Sequence, residues 1–322
     1  MSRLTRRAAL ALPALLAAGT ASAQSWVPER NVRVVVPFGP GTLADGAARL
    51  LAEHLQQRLG RPVIVDNKGG ATTTLGAAEV ARAAPDGHTL LMAPPPFVIT
   101  QFAMPRLPYD PEAAFRPVAL VATSPIYLAV RGDLPARNLA ELLALARARP
   151  GALTYASVGI GSLPHVAGEL LRLRADVDLL HVPYGTGVLA GNDLVAGRVD
   201  MVFTSELPVR AFIEAGRVRL LAVAAPERLP QRPDVPTLGE AMPPLRAEFW
   251  IGLLAPARTP DAAVARWNSE VNALLADPPI VERLARLDLA AAPRTPEAFG
   301  ALLAEERRQW SEAIRAADIR LD

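Results

Sequence analysis

Two short stretches of this 322-residue chain carry residue types that can hold an anion. Pro37-Phe38-Gly39-Pro40-Gly41-Thr42 follows the apolar, β-branched run Val32 to Val36 and precedes Leu43, Ala47, Leu50, Leu51 and Leu55 at helical spacing. Ser157, Gly159, Gly161 and Ser162 follow the short run Leu153 to Ala156. They precede Val166, Ala167, Leu170 and Leu171, with Pro164 in the first helical turn and Ser162 at the N-cap position. A strand that enters a helix through a glycine turn leaves free N–H groups at the positive end of the helix dipole. Serine and threonine hydroxyls add donors without formal charge. Anion binding is the chemistry expected, although either stretch taken singly also fits an unliganded α/β turn. Ser162 and His165 lie one helical turn apart and admit a hydrolytic reading. No Gly-x-Ser-x-Gly elbow surrounds the serine, and no third group is evident to orient the imidazole. His54, His88 and His181 lack metal-ligand spacing, and neither a dinucleotide fingerprint nor a Gly-Lys-Ser/Thr phosphate loop is present. No cofactor and no metal are expected.

The elements that position these residues begin after a leader. Arg3, Arg6 and Arg7 precede the apolar segment Ala8 to Ala18, which ends in Ala21-Ser22-Ala23. This is the pattern of a cleavable export signal, residues 1–23, with cleavage expected after Ala23 and a soluble exported product. The remaining length exceeds what one core usually serves, so two domains are expected. There is no cysteine, which removes disulfides and thiolate chemistry. The formal charge of +2 drops to near −1 without the three leader arginines, and no basic stripe with interleaved aromatics stands out, so nucleic-acid binding is not expected.

From Arg61 onward strand-like and helix-like segments alternate, which argues for parallel sheets covered by helices on both faces. Pro62 to Asp66, His88 to Met92, Asp178 to Val182, Val199 to Phe203, Leu220 to Ala224 and Phe249 to Ala255 read as strands. Leu75 to Ala84, Asn138 to Arg149 and Val188 to Ala196 read as helices, and a helix to Ala215 is expected after the turn Thr204-Ser205-Glu206. Pro94-Pro95-Pro96 reads as a rigid connection, and Glu169 and Arg172 read as the outer face of their helix.

Several of these marks fall in a fixed order along the chain. They include Val35-Val36-Pro37-Phe38 with Asp45, Ala83-Ala84-Pro85-Asp86-Gly87 and Leu107-Pro108-Tyr109-Asp110-Pro111. Tyr155-Ala156-Ser157, Gly161-Ser162 with His165, His181-Val182-Pro183-Tyr184 and Gly252-Leu253-Leu254-Ala255-Pro256 follow. The ordered set resembles the periplasmic solute receptors of tripartite tricarboxylate transporters, the Bug family, over essentially the whole mature chain. The resemblance implies an α/β, two-domain periplasmic-binding-protein-like fold of type II. Two crossing strands, near Val121 to Val130 and Ala247 to Ala255, would form the hinge and floor a ligand cleft between the domains. Residues 24–124 plus 249–322 would form the first domain and 125–248 the second. It further implies a monomer that binds a small carboxylate and serves membrane permease subunits, with no catalytic role. The candidate ligand residues are Phe38, Gly41, Thr42, Asp45, Thr72, Ser157, Gly161, Ser162, His165, Tyr184 and Thr204. A secreted α/β hydrolase using Ser162 and His165, or a receptor that presents its ligand to a signalling protein, are the other readings.

Some positions depart from the family's usual pattern. Lys68-Gly69-Gly70-Ala71-Thr72-Thr73 stands where Arg-Pro-Gly-Ala-Gly-Gly is common, and Pro94-Pro95-Pro96 replaces a more polar stretch. Thr204 stands where an acidic residue suited to a ligand ammonium is frequent, with Glu206 two residues on as a possible substitute. A carboxylate ligand without an amino group is therefore expected.

Overall fold

The computed structural model describes residues 26–243 and 245–321, so the leader and its cleavage site lie outside the described residues. The chain runs β1 (Val32–Val36), α1 (Leu43–Leu59), β2 (Val63–Asn67), α2 (Thr74–Ala81), β3 (Thr89–Ala93), α3 (Pro96–Ala103) and β4 (Phe115–Pro125). There follow β5 (Tyr127–Arg131), α4 (Leu139–Ala148), β6 (Thr154–Ser157), α5 (Leu163–Ala175), β7 (Leu180–Pro183), α6 (Gly187–Val195), β8 (Met201–Thr204), α7 (Arg210–Glu214) and β9 (Val218–Val223). β10 (Glu248–Pro256), α8 (Asp261–Leu275), α9 (Pro278–Arg286), β11 (Ala290–Ala291) and α10 (Pro296–Ala316) complete the fold.

Two sheets organise these elements. One has the order β11-β4-β10-β3-β1-β2 and the other β7-β6-β8-β5-β9. Around β1 the pairing with β2 and β3 is parallel, while β10 runs antiparallel to β3 and β4. In the second sheet β6 is parallel to β7 and β8, and β5 is antiparallel to β8 and β9. β1 and β3 are nearly continuous apolar runs because helices cover both faces of a parallel sheet. The chain passes between the sheets at Ile126 and again just before β10. These crossings are tied together: Ala224 N donates to Ile126 O at 2.8 Å, and Ala247 N donates to Ala224 O at 2.9 Å. The crossing strands therefore fall where the resemblance placed them.

Two glycines set how closely the helices approach this frame. A Cβ on Gly168 of α5 would sit 2.2 Å from the Tyr155 ring, so only glycine lets α5 lie against β6. A Cβ on Gly252 of β10 would meet the Phe299 ring at the same distance, which seats α10 on the hinge strand. The helix α10 reaches both domains. Its own Trp310 and Glu306 are buried, and Glu306 Oε2 accepts from Trp250 Nε1 of β10 at 3.1 Å and from Trp310 Nε1 at 2.6 Å. Beyond α10, Leu321 N donates to Ala103 O at 2.8 Å while its side chain lies against Gly161.

Three local expectations are corrected. Pro96 opens a helix rather than belonging to a rigid link, because a first helical turn needs no N–H from its prolines and Phe97 N reaches Pro94 O. Glu169 is buried, not outward, and accepts from Tyr155 OH at 2.6 Å while Arg172 pairs with its other oxygen at 2.9 Å. After β8 the chain makes a 3₁₀ turn, Leu207–Val209, before the five-residue α7, since Pro208 interrupts a longer helix. Among the described residues no helix is long and apolar enough to cross a membrane.

Candidate functional site

A cleft of about 470 Å³ opens between the two sheets, within the usual size for small-molecule sites. Its floor is the crossing itself: Ser124 and Ile126 leave β4, and Phe249 enters on β10. Phe38, Leu43, Thr72 and Pro96 form one wall. The other wall comes from the loop and first turn of α5, the start of α6 and the end of β8, including Ile160, Ser162, Leu163, Gly187 and Thr204. The polar side chains of this lining are five hydroxyls, Thr72, Ser124, Ser162, Thr204 and Ser205, and no charged residue is among them. Ser124 Oγ is buried and has no hydrogen-bond partner.

The α5 end is built to accept an acceptor. Ser162 holds the N-cap position, but its hydroxyl donates to Gly159 O at 2.6 Å and does not cap the helix. The first-turn N–H groups therefore lack a side-chain acceptor, and Pro164 contributes none. The loop that aims them is held from below. His165 Nδ1 accepts from Gly161 N at 3.1 Å, which places the ring proton on Nε2 in the neutral form. The His165 and His181 rings stack at 4.1 Å, and Ser157 Oγ lies 2.7 Å from His181 Nε2. Burial first, and the His181 charge second, push His165 down to about 4; burial also lowers His181. Both imidazoles are thus neutral at ordinary pH. The Ser162–His165 pairing of the hydrolytic reading does not form, because each partner is engaged by the loop backbone instead.

The opposite wall is different. Thr42 caps α1, accepting from Asp45 N at 3.4 Å, and Asp45 Oδ2 takes the Gly41 N–H at 2.9 Å. Arg49 and Asn67 bond the same carboxylate. Burial would raise the Asp45 carboxyl, but the bonds from Arg49, Gly41 and Asn67 outweigh it and hold it below the usual range. The positive end of α1 is therefore already occupied by a side-chain anion. The end of α2 is not: Thr73 makes no side-chain cap. Ala71, Thr72 and Thr73 adopt φ of 43°, 46° and 80°, three successive non-glycine residues in the left-handed region. The Thr73 hydroxyl is buried without a partner.

Of the residues singled out from sequence, Phe38, Thr72, Ser162 and Thr204 line the one cleft. Gly161 and His165 lie behind the α5 loop, and Ser157 is fully buried against His181. Gly41, Thr42 and Asp45 form the capped α1 end. Tyr184 is turned to Asp193, donating at 2.8 Å. Glu206 pairs with Arg232 at 3.3 Å and Arg210 at 3.5 Å in a separate groove. Ser124, Ile126 and Phe249 were not singled out; their place on the expected crossing strands was the available signal.

The family model described as tripartite tricarboxylate transporter family receptor matches residues 47–319. The chain belongs to this receptor family. It is 42% identical over 289 residues to the UPF0065 protein in the tcbD-tcbE intergenic region of Pseudomonas sp. (strain P51), covering 89% of this chain and 86% of that one. The structure of R. palustris Rpa4515 with adipate superposes with a TM-score of 0.76 at 30% identity, covering 91% of this chain and 99% of that one. MatC (Rpa3494) from Rhodopseudomonas palustris with bound malate gives 0.74 at 34% identity, covering 89% and 99%. The tripartite tricarboxylate transporter receptors are solute-binding proteins, not enzymes, and the two-sheet, cleft-bearing fold is theirs.

Proposed function

We propose that this protein is a periplasmic solute-binding protein that captures a small organic carboxylate for the membrane permease subunits of a tripartite tricarboxylate-type transporter, working as a monomer. The observation that carries this reading is the uncapped N-terminus of α5, which opens into an interdomain cleft whose polar side chains are all hydroxyls. Adipate and malate in the two neighbours support a carboxylate. Residues 24–124 plus 249–322 and residues 125–248 move as two bodies about the crossing strands, and ligand bridging Ser162 and Thr72 stabilises the closed form. Phe38 and Thr204 contact the ligand, while Gly161 and His165 aim the loop. No acidic side chain lines the cleft, so an ammonium would be buried without a counter-charge, at a cost of about several kcal/mol. The ligand therefore carries no amino group.

A melting screen of mono-, di- and tricarboxylates tests this, since a ligand that binds only the folded state raises the melting temperature with concentration. Ser162→Ala is expected to weaken binding by about 1–3 kcal/mol in calorimetry on folded protein. Unchanged affinity would remove Ser162 from the ligand shell. Absence of stabilisation by every carboxylate class would overturn the reading.

A further inference from the structure

We propose, resting on the carboxylate-receptor reading above, that the ligand is a carboxylate bearing a ring, aromatic or alicyclic, with a carboxylate group at α5 and its ring against Phe38 and Phe249. α5 gives the cleft an uncapped helix end on the second domain; across from it the α1 end already holds the Asp45 carboxylate, while the α2 end, reached at Thr72, is uncapped. Between these ends the lining is apolar, with Phe38, Pro96, Ile126 and Phe249 and no arginine, lysine or histidine, so the body of the ligand is a hydrocarbon. Phe38 on the wall and Phe249 on the floor are half-buried, and among the described residues neither ring stacks on another aromatic. Phe97, Phe115 and Phe299, by contrast, are buried in ring pairs within the core. Proline and β-branched residues, Pro96, Ile126, Pro164 and Val202, make the remaining walls stiff, which favours a rigid body over a flexible chain. Ring-on-ring contact with Phe38 or Phe249 adds orientation to burial. The unpartnered, buried Ser124 hydroxyl on the floor is left for a polar ligand atom or a bridging water.

The test is calorimetry on the mature protein with benzoate, cyclohexanecarboxylate, adipate and malate. At least one ring acid is expected to bind at least about tenfold more tightly than either diacid. Phe38→Ala, at a half-buried loop position packed against the core and with its folding checked by urea unfolding, should weaken the ring acid by about tenfold or more and shift adipate by less than about threefold. Adipate or malate binding more tightly than both ring acids would overturn this inference and leave the carboxylate-receptor reading standing. A ring acid unaffected by Phe38→Ala would overturn the assigned ring position. No binding by any of the four would count against both readings.

Discussion

Glu306 offers a direct test of how burial controls this fold. Its carboxyl is buried with both indole donors, Trp250 Nε1 and Trp310 Nε1, on one oxygen and no cation in hydrogen-bond contact. Burial raises it; the two indoles and the more distant Arg246 pull it back, Glu248 pushes the other way, and the result is about 7. The folded state therefore holds a proton that the unfolded chain releases near the ordinary value of 4.5. The associated stability is fully present below about pH 4.5 and is lost as pH rises through about 7. A shift of that size corresponds to about 3 kcal/mol at pH 8. Glu306→Gln keeps a carbonyl that can accept from both indoles and cannot ionise. Relative to wild type, the variant should gain about 3 kcal/mol between pH 5 and pH 8 in urea unfolding, because the wild type alone loses the bound proton. Parallel wild-type and variant profiles across that range would refute the raised carboxyl and the dry environment that causes it.

Two further outcomes follow from the same structure. His165, held near 4 by burial and by His181, should have the opposite sign: stability is complete above about pH 6.5 and falls as pH drops toward 4, by at most about 1.4 kcal/mol per unit. A ring titration by NMR with a midpoint near 6.5 would contradict that. Thr73→Gly should stabilise the protein by about 1 kcal/mol, since it releases a β-branched residue from positive φ and removes a buried hydroxyl with no partner. A lowered urea midpoint would show that Thr73 makes contacts that outweigh its strain.

Much of the frame was legible because it rests on local pattern. The β-branched run at Val32 to Val36, the glycine turns after β1 and β6, and the apolar stretches that become the crossing strands are visible without any partner. The α1 end was harder to read. Glycines and a threonine announce a free cradle there, but Asp45 closes it through Gly41, and only the folded turn brings that carboxylate back onto the loop. His165 and His181 are 16 residues apart and stack because α5 lies over the β6–β7 edge, a consequence of Gly168 admitting the Tyr155 ring. The left-handed run at Ala71 to Thr73 has no compositional mark, since alanine and threonine ordinarily avoid that region. The floor residues Ser124, Ile126 and Phe249 meet only through strand crossing, so no spacing rule could have gathered them.

The contact between Leu321 and Gly161 ties the segment after α10 to the loop before α5. With the Leu321 amide fastened to α3 and its side chain on the loop before α5, a fluorophore introduced at the exposed neighbour through Arg320→Cys would sit close to that loop. Emission from such a label should change if ligand capture moves the loop, which gives a readout that needs no labelled ligand.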